Sequence, residues 1–321
     1  MDPAAGNESG TPDFVLLGLW APPALRPLLW TALLAAYLAT VLGNGALVGL
    51  IALDRRLQRP MYLLLSHLAL LDAAYVSTTL PQALAHMAAR CARLSRARCG
   101  AQLYLGLSLG SCEALLLAAM ALDRSLAVCR PLRYTALVTP LRCAALAGAA
   151  WTLGFALSVP NAAAALRLRF CTGRPAVDHF FCELPAVLRT ACADTTANHR
   201  LIYGLGVPTL LVPLAFILAS YASILVAVGK LPSARSRLKA LSTCSSHLAV
   251  VGLFYGTVSA MYLRPRASSA LPARQHKLVA VFYLVVTPVL NPLIYSLRNR
   301  EVHAAARHAL ARLRGRRAAL G

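Results

Sequence analysis

The chain is expected to be all-α, a seven-helix bundle in a membrane, and three observations predict this. Apolar residues make up 58% of the 321 residues and charged residues only 13%, too little polar surface to clothe a water-soluble globule of that size. Apolar stretches run near 27–53, 61–84, 99–124, 141–160, 199–228, 239–263 and 276–297, and a helix needs about 20 residues to cross a hydrocarbon core about 30 Å thick. None of them shows the period-2 alternation of a barrel strand. Backbone polar groups in lipid must be paired inside the segment, so helices follow.

Taken in order, residues 1–26 form an outer tail that contains Asn7-Glu8-Ser9, an acceptor sequon for lumenal glycosylation at Asn7. No basic n-region or small-residue cleavage pattern precedes span one, which is therefore expected to act as an uncleaved anchor. Residues 27–297 form the seven-span domain, and 298–321 a basic tail. An odd number of crossings puts the two termini on opposite sides. The tail and the loops on its side carry eighteen of the 32 Lys and Arg residues, which places them in the cytosol by a modest positive-inside margin. The net charge of +21 makes a nucleic-acid binder the first rival, and the seven spans argue against it. The tail alternates Arg with small apolar residues and reads as an amphipathic helix on the inner leaflet or as a disordered basic segment.

Asn44, Asp72, Glu113, His247 and Asn291 fall inside spans, where polar side chains are expensive and by default functional. Asp72 and Glu113 each lie eleven residues from the inner end of their span, roughly 16 Å at 1.5 Å per residue, so both sit near the midplane. Two carboxylates at one depth cannot both ionise cheaply, which predicts a Na⁺ ion or a shared proton between them. Two independent carboxyls, each bonded to neighbouring Ser or backbone, are the alternative. In span seven Pro292 lacks an amide hydrogen, so a kink is expected there, with Asn291 and water repairing the freed carbonyls.

Nine cysteines are present. Cys91, Cys99, Cys171, Cys182 and Cys192 fall on the outer side, where disulfides are permitted. Cys112, Cys129, Cys143 and Cys244 lie within spans or toward the reducing side, without the spacing of a zinc site.

Residues 120–134, Met-Ala-Leu-Asp-Arg-Ser-Leu-Ala-Val-Cys-Arg-Pro-Leu-Arg-Tyr, resemble the inner end of helix three in olfactory receptors, a branch of the rhodopsin-like G-protein-coupled receptors. Residues 60–72, Pro-Met-Tyr-Leu-Leu-Leu-Ser-His-Leu-Ala-Leu-Leu-Asp, resemble the start of the family's helix two, and 239–247, Lys-Ala-Leu-Ser-Thr-Cys-Ser-Ser-His, the start of helix six. Residues 288–299, Pro-Val-Leu-Asn-Pro-Leu-Ile-Tyr-Ser-Leu-Arg-Asn, complete the order, together with Gly43-Asn44, Ser220-Tyr221 and Phe254-Tyr255-Gly256. Leu122 and Ser125 depart from the family's usual string, which has Tyr beside the Asp-Arg pair.

The resemblance implies a receptor for small volatile odorants that activates a stimulatory, olfactory-type heterotrimeric G protein and raises cAMP. It implies multi-pass residence in the plasma membrane of sensory cilia, among membrane lipids, with no nucleic-acid partner and no cofactor beyond the possible Na⁺. It pairs Cys99 with Cys182 and Cys171 with Cys192. It places Leu107, Gly110, Ser111, Leu205, Gly206, Thr209, Tyr255, Val258, Ser259 and Tyr262 around the ligand, a mostly apolar wall with no charged group. It assigns Asp123, Arg124, Tyr221, Lys239, His247, Asn291, Pro292 and Tyr295 to activation. Asp123 is expected to hold Arg124 in a charge-assisted bond that an outward swing of helix six would release; a snorkelling interfacial arginine is the alternative. Three rivals remain: a rhodopsin-like receptor for a non-odorant molecule, a multi-pass transporter, which would favour symmetry between the halves, and an intramembrane enzyme, for which no nucleophile-and-base motif is found.

Overall fold

Seven of the described helices are long and apolar enough to cross a membrane. A computed structural model of the protein describes residues 14–19, 21–89, 93–170, 175–262, 273–297 and 299–318. Spans one to four are α1 (Arg26–Leu53), α2 (Pro60–Ala89), α3 (Arg96–Cys129) and, after the short α4 (Tyr134–Leu137), α5 (Pro140–Leu166). A single turn of helix, α6 (Leu184–Leu188), follows in the long loop. Span five is α7 (Thr196–Leu201), a wide π-helical turn (Ile202–Gly206) and α8 (Val207–Gly229). Span six is α9 (Ala234–Tyr262). Span seven is α10 (Ala273–Val281), a second π turn (Phe282–Val286) and α11 (Thr287–Leu297).

The helices turn apolar side chains both inward and outward, as a bilayer requires. On α1, Leu33, Leu47 and Ile51 are buried while Leu28, Leu38 and Leu42 are exposed; on α8, Val212, Leu218 and Val226 face outward. The polar residues Asp72, Glu113, His247 and Asn291 are buried in the centre. Helices α3 and α5 approach tightly at Gly154, where a Cβ would lie 2.8 Å from the backbone nitrogen of Cys112. Small residues let helices approach in this way where lipid supplies no hydrophobic drive between them.

The ends of the spans run past the expected limits. Helix α2 continues through Pro81 to Ala89, and α3 begins at Arg96, with Ser95 Oγ accepting the Arg98 amide at 3.3 Å as its N-terminal cap. At Pro292 the repair differs from expectation. Its missing amide leaves the Pro288 carbonyl free, and this accepts Asn44 Nδ2 from α1 at 3.2 Å. Asn291 is turned away toward α2. Regular helix in span seven is interrupted at Phe282–Val286, not at Pro292, through which α11 runs unbroken.

A small sheet covers one end of the bundle, hereafter the lid end. Strand β1 (Phe14–Leu16) lies between β2 (Arg93–Leu94), antiparallel to it, and β3 (Ala176–Val177), parallel to it. The disulfide Cys99–Cys182, with Cα atoms 5.3 Å apart, ties the long loop to the start of α3. Cys192 is also disulfide-bonded. Asn7, Cys91 and Cys171 lie outside the described residues, as do the side chains of Lys239 and Tyr262.

At the opposite end, α12 (Arg300–Ala318) is a helix docked on the bundle, with Val302 and Ala305 buried. Glu301 accepts the Tyr62 hydroxyl at 2.8 Å, and Asn299 Nδ2 donates to the same hydroxyl at 2.9 Å. The Arg59–Glu301 ion pair at 2.9 Å is exposed and adds little.

Candidate functional site

Beneath the lid lies a cavity of about 80 Å³. By the same measure a single water needs about 10–15 Å³, so the space admits roughly five to eight non-hydrogen atoms. Its wall is built by α2, α3, α5, α8, α9 and both π turns, with Leu184 of α6 closing the top. Wide turns of this kind recur at functional sites. Leu107, Gly110, Ser111, Gly206, Thr209 and Val258 lie on this wall. Leu205, Tyr255 and Ser259 do not. Phe254 and Val258, one turn apart, define the face that α9 presents, so Tyr255 and Ser259 are each rotated about 100° away from it. The π turn fixes a face through Ile202 and Gly206, and the Leu205 carbonyl accepts the Thr209 hydroxyl.

Glu113 is on the wall as well, only 6% exposed, and its Oε1 has no hydrogen-bond partner. The expected wall without a charged group thus includes an ionisable carboxyl that the expectation left out. The signal was present in the spacing, since Gly106, Gly110 and Glu113 follow one helical face. Tyr75, Ser158, Asn161 and Tyr283 complete the polar wall and were not foreseen.

Several contacts clamp the lid. Gln102 Nε2 donates to the Thr78 carbonyl at 2.9 Å while its Oε1 accepts the Cys182 amide at 2.8 Å, joining α2, α3 and the long loop. Lys277 Nζ pairs with Asp178 Oδ1 at 2.6 Å and donates to the Gly18 carbonyl at 2.7 Å. Gly18 has φ +71°, a left-handed conformation that glycine adopts without strain. Tyr283, part of the cavity wall, donates to Glu183 Oε1 at 2.7 Å.

His179 and Glu183 meet beneath this clamp, with Nε2 and Oε2 3.3 Å apart. Burial, and then the charges of Lys277 and Arg189, hold His179 down at about 3. Burial pushes Glu183 up to about 7, against the Tyr283 hydrogen bond and the Arg189 charge. Each group is driven toward its neutral form, so the contact is not an ion pair. A raised carboxyl stabilises the fold below its unfolded value of 4.5 and loses that contribution as pH rises through about 7. A lowered histidine stabilises above 6.5 and loses its contribution as pH falls toward 3. The two slopes oppose one another between these unfolded values, and only the Glu183 slope remains above them. The thermal midpoint of the purified protein is therefore expected to fall between pH 6.5 and 8, and Glu183→Gln to flatten that fall. A wild-type midpoint that rises over this interval contradicts the assignment.

Deeper in the bundle, Asn291 Nδ2 donates to both carboxyl oxygens of Asp72, at 3.0 Å each. Asp72 and Glu113 are near enough to feel one another's charge. Asn291 Oδ1 and the Tyr295 hydroxyl are buried without partners. Further along, His247 Nε2 lies 3.1 Å from the Leu117 carbonyl, which can only accept, so that nitrogen carries the proton. His247 Nδ1 then accepts the Tyr221 hydroxyl at 2.8 Å, and spans three, five and six are joined through one neutral imidazole.

Arg124 lies close enough to His247, Tyr221 and Tyr295 to act on them electrostatically. The expected Asp123–Arg124 bond is not made: no ion pair joins them among the described residues. Asp123 Oδ1 instead accepts the Tyr134 hydroxyl of α4 at 2.7 Å. Burial and then the adjacent Asp123 raise the Tyr134 phenol, which keeps it protonated and donating.

Comparison with known proteins places this geometry in context. A family model described as olfactory receptor matches residues 33–312. The chain is 46% identical over 304 residues to human olfactory receptor 2A1/2A42, covering 95% of this chain and 97% of that protein. It is 44% identical to human olfactory receptor 2G6, covering 94% of each. It is also 44% identical to mouse olfactory receptor 2A7, covering 93% of this chain and 95% of that protein.

Proposed function

Because the chain belongs to the olfactory receptor family, a family of multi-pass membrane receptors and not of enzymes, we propose that it binds a small volatile odorant beneath its lid and activates a stimulatory, olfactory-type G protein to raise cAMP. The observation that carries this reading is the small, mostly apolar cavity whose wall includes α3, the helix that carries Arg124 in its opposite half. Burial at about 25 cal/mol per Å² gives so small a ligand limited binding energy, so micromolar affinity follows. The lid end faces outward, with Asn7 glycosylated and Cys171 paired with Cys192. The α12 end faces the cytosol, where Lys239 and the basic tail meet G protein and anionic lipid. The receptor resides in the plasma membrane of sensory cilia.

The test is a cAMP assay against an odorant panel in cells that supply an olfactory-type G protein. Arg124→Ala is expected to reduce odorant-evoked cAMP to baseline while surface delivery stays near normal. Unchanged signalling by that variant overturns its role in coupling, and a delivered receptor silent to a broad panel overturns the odorant reading.

We also propose that Asp72 and Glu113 share a proton or a Na⁺ ion. No cluster of three or more His, Cys, Asp or Glu suited to a metal occurs among the described residues. The partnerless Glu113 Oε1 and Asn291 Oδ1 are oxygen ligands of the type a hard monovalent cation takes. Asp72→Asn is expected to abolish the sodium and pH dependence of activation, and its persistence in that variant counts against a shared site.

A further inference from the structure

The serine and threonine hydroxyls on the cavity wall have already committed their protons. Ser111 Oγ lies 2.8 Å from the Leu107 carbonyl oxygen, Ser158 Oγ 2.8 Å from that of Gly154, and Thr209 Oγ1 2.7 Å from that of Leu205. A carbonyl oxygen cannot donate, so in each pair the hydroxyl does, and it has only lone pairs left to offer a ligand. Tyr283 gives its proton to Glu183 in the same way. To these acceptors Glu113 adds a carboxyl oxygen that is buried and unpartnered. Asn161, Tyr75 and, when it holds the proton shared with Asp72, Glu113 are the lining side chains able to donate, and each of them can equally accept.

We infer that the cavity selects ligands that donate a hydrogen bond, small aliphatic alcohols and amines, over aldehydes and ethers of the same size, with Glu113 Oε1 as the principal acceptor. This rests on the odorant-pocket reading above and adds the ligand's chemical class to it. An O–H or N–H that enters finds lone pairs on several sides. A carbonyl or ether oxygen in the same place loses its water and faces other oxygens. Sites built to hydrogen-bond one kind of group discriminate strongly against analogues that leave the wall's polar atoms unpaired.

The experiment is direct binding, read as thermal stabilisation of the purified full-length receptor in lipid nanodiscs. The probes are pentan-1-ol, pentylamine, pentanal and ethyl propyl ether, matched in size. The alcohol and the amine are expected to act at concentrations about tenfold lower than the aldehyde and the ether. Glu113→Gln places an amide donor beside the ligand and is expected to narrow that gap severalfold. Glu113 also neighbours Asp72, so Thr209→Val supplies an independent arm: it removes one acceptor and is expected to weaken the alcohol while sparing the aldehyde. An aldehyde or ether that binds the wild type as tightly as the alcohol overturns the inference, and so does a gap that both variants leave unchanged. Failure of every probe to bind overturns it too. The odorant reading is then decided separately by the broad cAMP panel, whose members are not limited to these compounds.

Discussion

Gly154→Ala is expected to lower the amount of receptor at the cell surface several-fold. The added Cβ would stand 2.8 Å from the Cys112 backbone nitrogen and 3.1 Å from its Cα, with Cys112 Sγ nearer still. A side chain can swing aside, but helical backbone cannot, so α3 and α5 would have to separate. Ala147 and Ala150 are buried on the same face of α5 and would lose their packing with it. Overpacking costs about 1–3 kcal/mol even where neighbours adjust, and losses of about 1–2 kcal/mol already change cellular abundance several-fold. Flow cytometry of a surface tag reads the effect. Gly148→Ala on the same helix meets no atom within 4 Å and is expected to stay near wild type. Adding Cys112→Ala to Gly154→Ala relieves only the sulfur contact, so the double variant is expected to remain defective. Normal delivery of Gly154→Ala would show that the two helices do not approach so closely.

Cys99→Ser and Cys182→Ser are expected to destabilise the receptor more than any lid substitution described above. The bond joins residues 83 apart in sequence, and loop-closure entropy assigns a crosslink of that span about 4.5 kcal/mol. Its loss would free the lid end of the long loop and strain the Gln102 and Tyr283 contacts that hold the same segment. Thermal inactivation of the purified protein is the measurement. The double variant is expected to match either single one, because both remove the same bond. Additive losses would mean that the thiols act separately.

Much of the fold was legible because lipid imposes a strong signal. Seven apolar runs, the buried polar residues within them and the strings around Arg124 and Pro292 are local features. What escaped reading is non-local or too short to leave a period. Asn44 reaches the Pro288 carbonyl across 244 residues of sequence, and no pattern near Pro292 announces it. The strands β1, β2 and β3 are two or three residues long, below the length at which alternation can be recognised. The π turns defeat a helical wheel because each shifts the face presented by the residues after it. Leu205, which the resemblance places around the ligand, lies off the wall, while Ile202 in the same π turn is on it. Tyr134 shows the same limit at the other end: its bond to Asp123 depends on the fold of α4, not on the spacing of the two residues.

Gly110 and Gly206 on the cavity wall bear on how such a protein diversifies. A Cβ at Gly110 would meet nothing within 4 Å, and one at Gly206 only the Asn161 amide at 3.9 Å. Each site therefore tolerates a methyl group that takes volume from the guest and not from the framework. Single nucleotide changes there can reshape the cavity while the packing between the helices stays intact.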